Sequence, residues 1–235
     1  MQLNSQRCGT IVMGVKTPFI MRGDDLVKIV TENVLAALGK ENIADGDIIA
    51  VTEAVVAIAQ NNIFTKQEVA AAIKKLVGSA ETMVILWPIF SRNRFAPILD
   101  CLALAMQGKK IIIQLNAFID EQGNNLFSQE IHLKPGQRGL TEAAVRQNFG
   151  NPGHVITGVD YLDLYRKIGE KRGAQVEIVC SNEADFVQDK KAVFMVSCVH
   201  GRDKTKELLQ KKNYPQVFTL QDVCADHCEY GLLGA

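Results

Sequence analysis

Arg92 and Arg94 stand inside MVILWPIFSRNRFAPILDCLALAM (83–106), the most apolar stretch of the chain. The stretch does not read as a membrane span. Pro88 and Pro97 break it, and Arg92, Arg94 and Asp100 would each be costly near a bilayer centre. The residues before FSRNR read as a strand and those after it as a helix, so the arginines fall at a strand-to-helix joint. A helix N-terminus offers free N–H groups and partial positive charge, and a guanidinium adds a planar fork. The joint therefore suits a phosphate or a carboxylate. The alternative is a salt bridge to an acid elsewhere in the chain, since a desolvated arginine needs a partner of some kind.

A second cationic turn, HGRDKTK (200–206), follows the strand-like AVFMVSCV and contributes His200, Arg202 and Lys204. It is a phosphate or carboxylate site or, equally, a solvated helix start capped by Asp203. Asp120 and Glu121 lie in the polar turn after a buried run, where adjacent acids suit Mg²⁺ or Mn²⁺ and where a plain hairpin turn fits as well. Asp160 opens a helix with Asp163 three residues on, a spacing that N-capping explains without a ligand. Cys224 and Cys228 with His227 lack the second ligand pair of a zinc site. None of the common phosphate-loop, dinucleotide, nucleophile-elbow or zinc-protease motifs is present.

The elements that must position these turns alternate between strand and helix patterns, which points to α/β or α+β organisation. Strands are expected at 11–15, 47–52, 83–89, 109–116, 175–180 and 192–199. Helices are expected from a cap at Asp24 or Asp25 to Leu38, from the capping box at Thr65 to Val77, and over 95–108, 161–172 and 203–212. The Gly-, Pro- and polar-rich stretch at 128–156 is the expected junction or elaborated loop, with a smaller subdomain or insertion at about 128–190 inside a single 1–235 unit. The balance of 26 basic and 26 acidic residues argues against a nucleic-acid or anionic-membrane binder. Scattered cysteines without a secretion signal read as reduced core thiols in a cytoplasmic protein.

Two stretches carry a family likeness. TPFIMRGDDL (17–26) and ADGDIIAVTEAVV (44–56) resemble the opening of the coenzyme F-420 gamma-glutamyl ligases, and Gly158-Val159-Asp160 matches a third short motif. The resemblance implies an α+β, two-domain fold with mixed sheets that forms an intertwined homodimer. It also implies a ligase that uses GTP or ATP with Mg²⁺ or Mn²⁺ to join glutamate or a similar amino acid to a small-molecule carboxylate through an acyl phosphate. On the same basis, Thr17, Pro18, Phe19 and Ile20 match a nucleotide-contacting segment. Glu53 and Ala54 take the family's Ser-Thr position, and Asp160 matches a metal-binding aspartate, with Asp120 and Glu121 as its expected companions. The chain departs from the pattern where the family's nucleotide-contacting lysine falls on Ile58, where an asparagine is Asp163, and where an Asp-Thr metal pair has no counterpart. These departures leave a rival expectation, a non-catalytic module that keeps the fold and an anion-binding pocket.

Overall fold

The computed structural model of the chain describes residues 9–116, 136–150, 153–154, 156–198, 201–225 and 232. The chain divides into two compact units, Met1–Phe64 and Thr65–Ala235. In the first, α1 (Leu26–Leu38) starts at Asp25, whose carboxylate accepts the Lys28 N–H at 3.0 Å, and stops at Gly39 with φ 75°. A short α2 (Glu53–Ala59) follows, and the Gly23 N–H donates to the Ala59 carbonyl at 2.9 Å. The expected strands at 11–15 and 47–52 do not form: both segments are irregular. A short apolar run marks a segment that can pair, but a strand needs a hydrogen-bonded neighbour. Here Val12 is 89% and Ile48 91% exposed.

The second unit begins with α3 (Lys66–Val77), where Thr65 and Glu68 cap each other reciprocally as their spacing predicts. Then come β1 (Thr82–Leu86), α4 (Phe95–Ala105), β2 (Lys110–Leu115), β3 (Leu140–Thr141), α5 (Glu142–Phe149), α6 (Tyr161–Lys171), β4 (Gln175–Cys180), β5 (Val193–Val196), α7 (Arg202–Lys211) and β6 (Val217–Thr219). The described part of the 128–190 segment thus supplies β3, α5, α6 and β4 to this unit.

The strands form one mixed sheet in the order β3-β4-β2-β1-β5-β6, parallel throughout except for β3 against β4. With seven α-helices among the described residues, the chain is a mixed α/β protein, in keeping with the expected mixed sheet. The central strands are near-continuous apolar runs because helices cover both faces. Val84, Leu86, Ile112, Phe194, Val196 and α7's Leu209 share the core on one side. On the other side α4 packs against α3 and α6. Strand β1 ends at Leu86, short of the expected Ile89, because Trp87 adopts φ 54° and Pro88 has no N–H to donate. No helix among the described residues is long and apolar enough to cross a membrane.

Candidate functional site

From β1 the chain runs to β2 and β4 on one side, whereas β5 and β6 lie on the other. The direction of winding therefore reverses between β1 and β5. Right-handed crossovers place the helices that follow these strands on opposite faces, and a crevice opens outside the carboxyl ends at such a switch point. Leu86 registers with both Gln114 of β2 and Val196 of β5. The cationic turns picked out separately in the sequence leave from these two neighbouring strand ends: Arg92 and Arg94 after β1, Arg202 and Lys204 after β5.

The first turn is built from beneath. The Trp87 N–H donates to the Gln114 carbonyl at 2.8 Å and its indole N–H to the Ser181 carbonyl at 3.0 Å, which anchors the end of β1 to β2 and to the loop after β4. Tyr165 of α6, fully buried, donates its hydroxyl to the Ile89 carbonyl at 2.7 Å and accepts the Ser91 N–H at 3.0 Å. Its ring stacks on Phe90 at 5.9 Å, and Phe95 meets it edge-on at 5.3 Å. Ser91, also buried, holds the entry to α4: its hydroxyl oxygen accepts the N–H of Arg94, the N-cap residue, at 2.9 Å and its carbonyl the Ala96 N–H at 3.0 Å. Arg92, Asn93 and Arg94 form the exposed crest above this support.

That exposure changes the argument for the arginines. The apolar residues around them in sequence are absorbed by β1 below and α4 behind, so neither guanidinium is enclosed in the core and desolvation does not oblige either to hold a partner. Their claim to a ligand rests on position, at the N-terminus of an 11-residue helix beside the switch point.

At the end of β5, the Ser197 N–H donates to the Leu86 carbonyl at 2.9 Å. The chain then enters α7 through Gly201, whose φ of 85° is the left-handed conformation that glycine adopts without steric cost. Thr205 returns its hydroxyl to the Gly201 carbonyl at 3.1 Å, and Lys206 pairs with Asp222 at 2.8 Å. Arg202 is half-buried and Lys204 exposed. The Cys198 thiol is pushed up by burial, against a hydrogen bond from Thr205 that lowers it. Two polar atoms beside these strand ends, Gln114 Oε1 and Ser197 Oγ, are buried without a hydrogen-bond partner. Such orphans are uncommon in a native interior.

Asp160 directly precedes Tyr161, whose ring meets Phe90 of the first turn edge-on at 5.5 Å. Asp160 caps α6, one oxygen accepting the Asp163 N–H at 3.0 Å and the other pairing with Arg146 at 2.6 Å. Arg146 also binds Glu142 at 2.8 Å, and Arg166 pairs with Glu142 as well. Glu142, Arg146 and Arg166, together with Glu177, line an open cleft of about 400 Å³ whose charges compensate one another. Both Asp160 oxygens are thus engaged by donors. Among the described residues no group of three or more His, Cys, Asp or Glu could hold a metal ion. Asp120, Glu121 and His200 lie outside the described residues.

Thr17, Pro18, Phe19 and Ile20 belong to the first unit, in the irregular segment ahead of α1, with Phe19 96% exposed. Glu53 opens α2 in the same unit, and Ile58 is half-buried near its end. Sequence reasoning did not pick out Tyr165 or Ser91. For Ser91 the local signal was a serine in the turn, four residues before α4 starts and not at its N-cap, which is Arg94. For Tyr165 there was none, because its bonds to the turn span more than seventy residues.

No curated protein and no solved structure matches the chain. A family model does, over residues 14–198, described as F420-0:Gamma-glutamyl ligase. The matched range takes in the first unit's two helices and the sheet through β5, and ends before the turn of Arg202 and Lys204. Spanning most of the chain, that match and the quoted likenesses at 17–26, 44–56 and 158–160 agree on one conclusion: the chain belongs to the F420-0:gamma-glutamyl ligase family.

Proposed function

We propose that this protein is an amide ligase that joins glutamate or a similar amino acid to a small-molecule carboxylate at the expense of GTP or ATP. Family membership supports the ligase class. The observation that carries the site is the departure of two cationic turns from the carboxyl ends of the adjacent parallel strands β1 and β5. In this reading the acceptor's carboxylate oxygen attacks the γ-phosphorus, and the bond to the bridging oxygen breaks to release the nucleoside diphosphate. The amino acid's amine then attacks the acyl carbon, phosphate departs with the C–O electron pair, and the ammonium proton passes to solvent. Little covalent chemistry falls to the protein, whose work is to hold the triphosphate and spread its charge. Arg92 and Arg94 from the α4 turn, with Arg202 and Lys204 from the α7 turn, would do that from either side of the crevice. His200 is a candidate for the same role by its place in the turn.

Mg²⁺ or Mn²⁺ enters this reading from the family alone. The described residues do not make a metal set, and Asp160 as it stands serves α6 and Arg146. When bound, the ion would neutralise triphosphate charge. Asp160, Asp120 and Glu121 remain the positions proposed for it, and Thr17–Ile20 and Glu53 those proposed for the nucleotide. The homodimer is likewise proposed. Among the described residues of the first unit, eleven large apolar side chains are exposed, among them Ile11, Val12 and Met13 of one strand-like run and Ile48, Ile49 and Val51 of the other. A second copy would cover them, and a monomeric mass by light scattering would contradict this. Among the described residues, the buried thiols Cys101, Cys180 and Cys198 support a reducing, cytoplasmic setting.

Ile58, in place of the family's nucleotide-contacting lysine, favours a second reading, a binding module without catalysis. One assay separates the two. The protein is incubated with GTP or ATP, Mg²⁺ or Mn²⁺, glutamate and F420-0 as the family's acceptor, and phosphate release is measured with and without glutamate. A ligase gives release that requires both the acceptor and the amino acid. A binding module gives none, although the nucleotide or acceptor still raises its melting temperature.

A further inference from the structure

We propose that Tyr165 is a positioning residue for the anion site, holding the Arg92–Arg94 turn in register with the N-terminus of α4. The inference rests on reading that turn as a phosphate or carboxylate site. Tyr165 is fully buried on α6, and its hydroxyl grips the joint on both sides of Phe90. It donates to the carbonyl before Phe90 and accepts the N–H after it, at 2.7 and 3.0 Å. Ser91 is the hinge of the arrangement. Its N–H is held by Tyr165, while its own hydroxyl and carbonyl hold the Arg94 and Ala96 amides that begin α4. A shift at Ser91 therefore moves the crest of Arg92, Asn93 and Arg94 relative to the helix N-terminus that would share the anion with them.

Packing alone does not require the hydroxyl. Phe90, Phe95 and Tyr161 surround the ring with stacked and edge contacts that a phenylalanine would keep. What Tyr165→Phe removes is a matched donor and acceptor for two backbone groups beside a buried residue, and the backbone must move to satisfy them in another way. A misplaced fork costs affinity because a planar, bidentate partner tolerates little displacement.

The test measures pyrophosphate affinity by calorimetry on the full chain, for wild type, Tyr165→Phe, Arg92→Ala and the double variant. Tyr165→Phe is expected to weaken binding about tenfold when Arg92 is present and to add nothing in the Arg92→Ala background. Unchanged affinity in Tyr165→Phe overturns the proposal. Equal weakening in both backgrounds also overturns it, because the hydroxyl would then act on the fold at large and not through the turn. If wild type and Arg92→Ala bind pyrophosphate alike, or neither binds, the anion site itself is refuted and the role of Tyr165 falls with it. Should Tyr165→Phe fail to fold, hydrogen exchange at the Ser91 amide of the wild type decides. Pyrophosphate is expected to slow that exchange several-fold, and an unchanged rate overturns the proposal.

Discussion

Replacing Asp100 with asparagine perturbs the joint that ties the helices of the larger unit together. From the middle of α4, its carboxylate receives the Arg172 guanidinium on both oxygens, at 2.6 and 2.7 Å, and the Lys66 ammonium at 2.6 Å. Lys66 begins α3 and Arg172 closes α6, so one side chain links three helices. Hydrogen bonding from Arg172 is the main cause that lowers the Asp100 carboxyl. Burial opposes it, Lys66 adds to it, and the result falls from 3.8 to about 2. At about 1.4 kcal/mol per pH unit that drop corresponds to about 2 kcal/mol. Solvent screening around Lys66, half exposed, brings the net to about 1–2 kcal/mol. Because the folded value lies below the unfolded one, this stability is fully present above about pH 4. It is lost as the pH falls from the unfolded value of 3.8 through about 2. Asp100→Asn should therefore destabilise the larger unit by about 1–2 kcal/mol at pH 7, and the gap from wild type should close near pH 2. Urea titrations at several pH values, followed by fluorescence of Trp87, the chain's only tryptophan, read the unit that contains the joint. No loss at pH 7, or a loss that stays constant down to pH 2.5, would refute the reasoning.

Two further predictions concern groups whose roles the structure assigns. Asp160→Ala removes both the α6 cap and the Arg146 partner, and should cost about 1–2 kcal/mol in chemical denaturation. That loss should appear with chelator, since cap and ion pair need no metal; the proposed ligand role adds a further loss with Mg²⁺ or Mn²⁺ present, and its absence would contradict that role. Burial pushes the Cys180 thiol up to about 12, so it should stay unmodified by a thiol reagent at pH 8 in the native protein and react on unfolding. Peptide mass mapping that finds Cys180 modified as fast in the native state would contradict its enclosure.

The larger unit was legible in the sequence because its signals are local. Thr65 and Glu68 carry the capping box in four residues, and MVIL, IIIQL and VFMV are apolar runs long enough for buried parallel strands. The two cationic turns were legible as turns for the same reason. Their neighbourhood was not, since the adjacency of β1 and β5 joins strands more than a hundred residues apart. Burial misled in one respect: an apolar context in sequence suggested enclosed arginines, whereas the strand and helix on either side take up that apolar surface and leave the crest in solvent. In the first unit, the apolar runs at 11–15 and 47–52 read as strand, but pairing is a tertiary property that no local pattern supplies.

The central claim is a nucleotide-binding anion site at the turns after β1 and β5, and calorimetric titration of the full chain with GTP and ATP in Mg²⁺ or Mn²⁺ tests it most directly. The account predicts saturable binding of at least one triphosphate that Arg92→Ala weakens without lowering the melting temperature. Titrations flat for both nucleotides with either metal, or binding that Arg92→Ala leaves untouched, would contradict it.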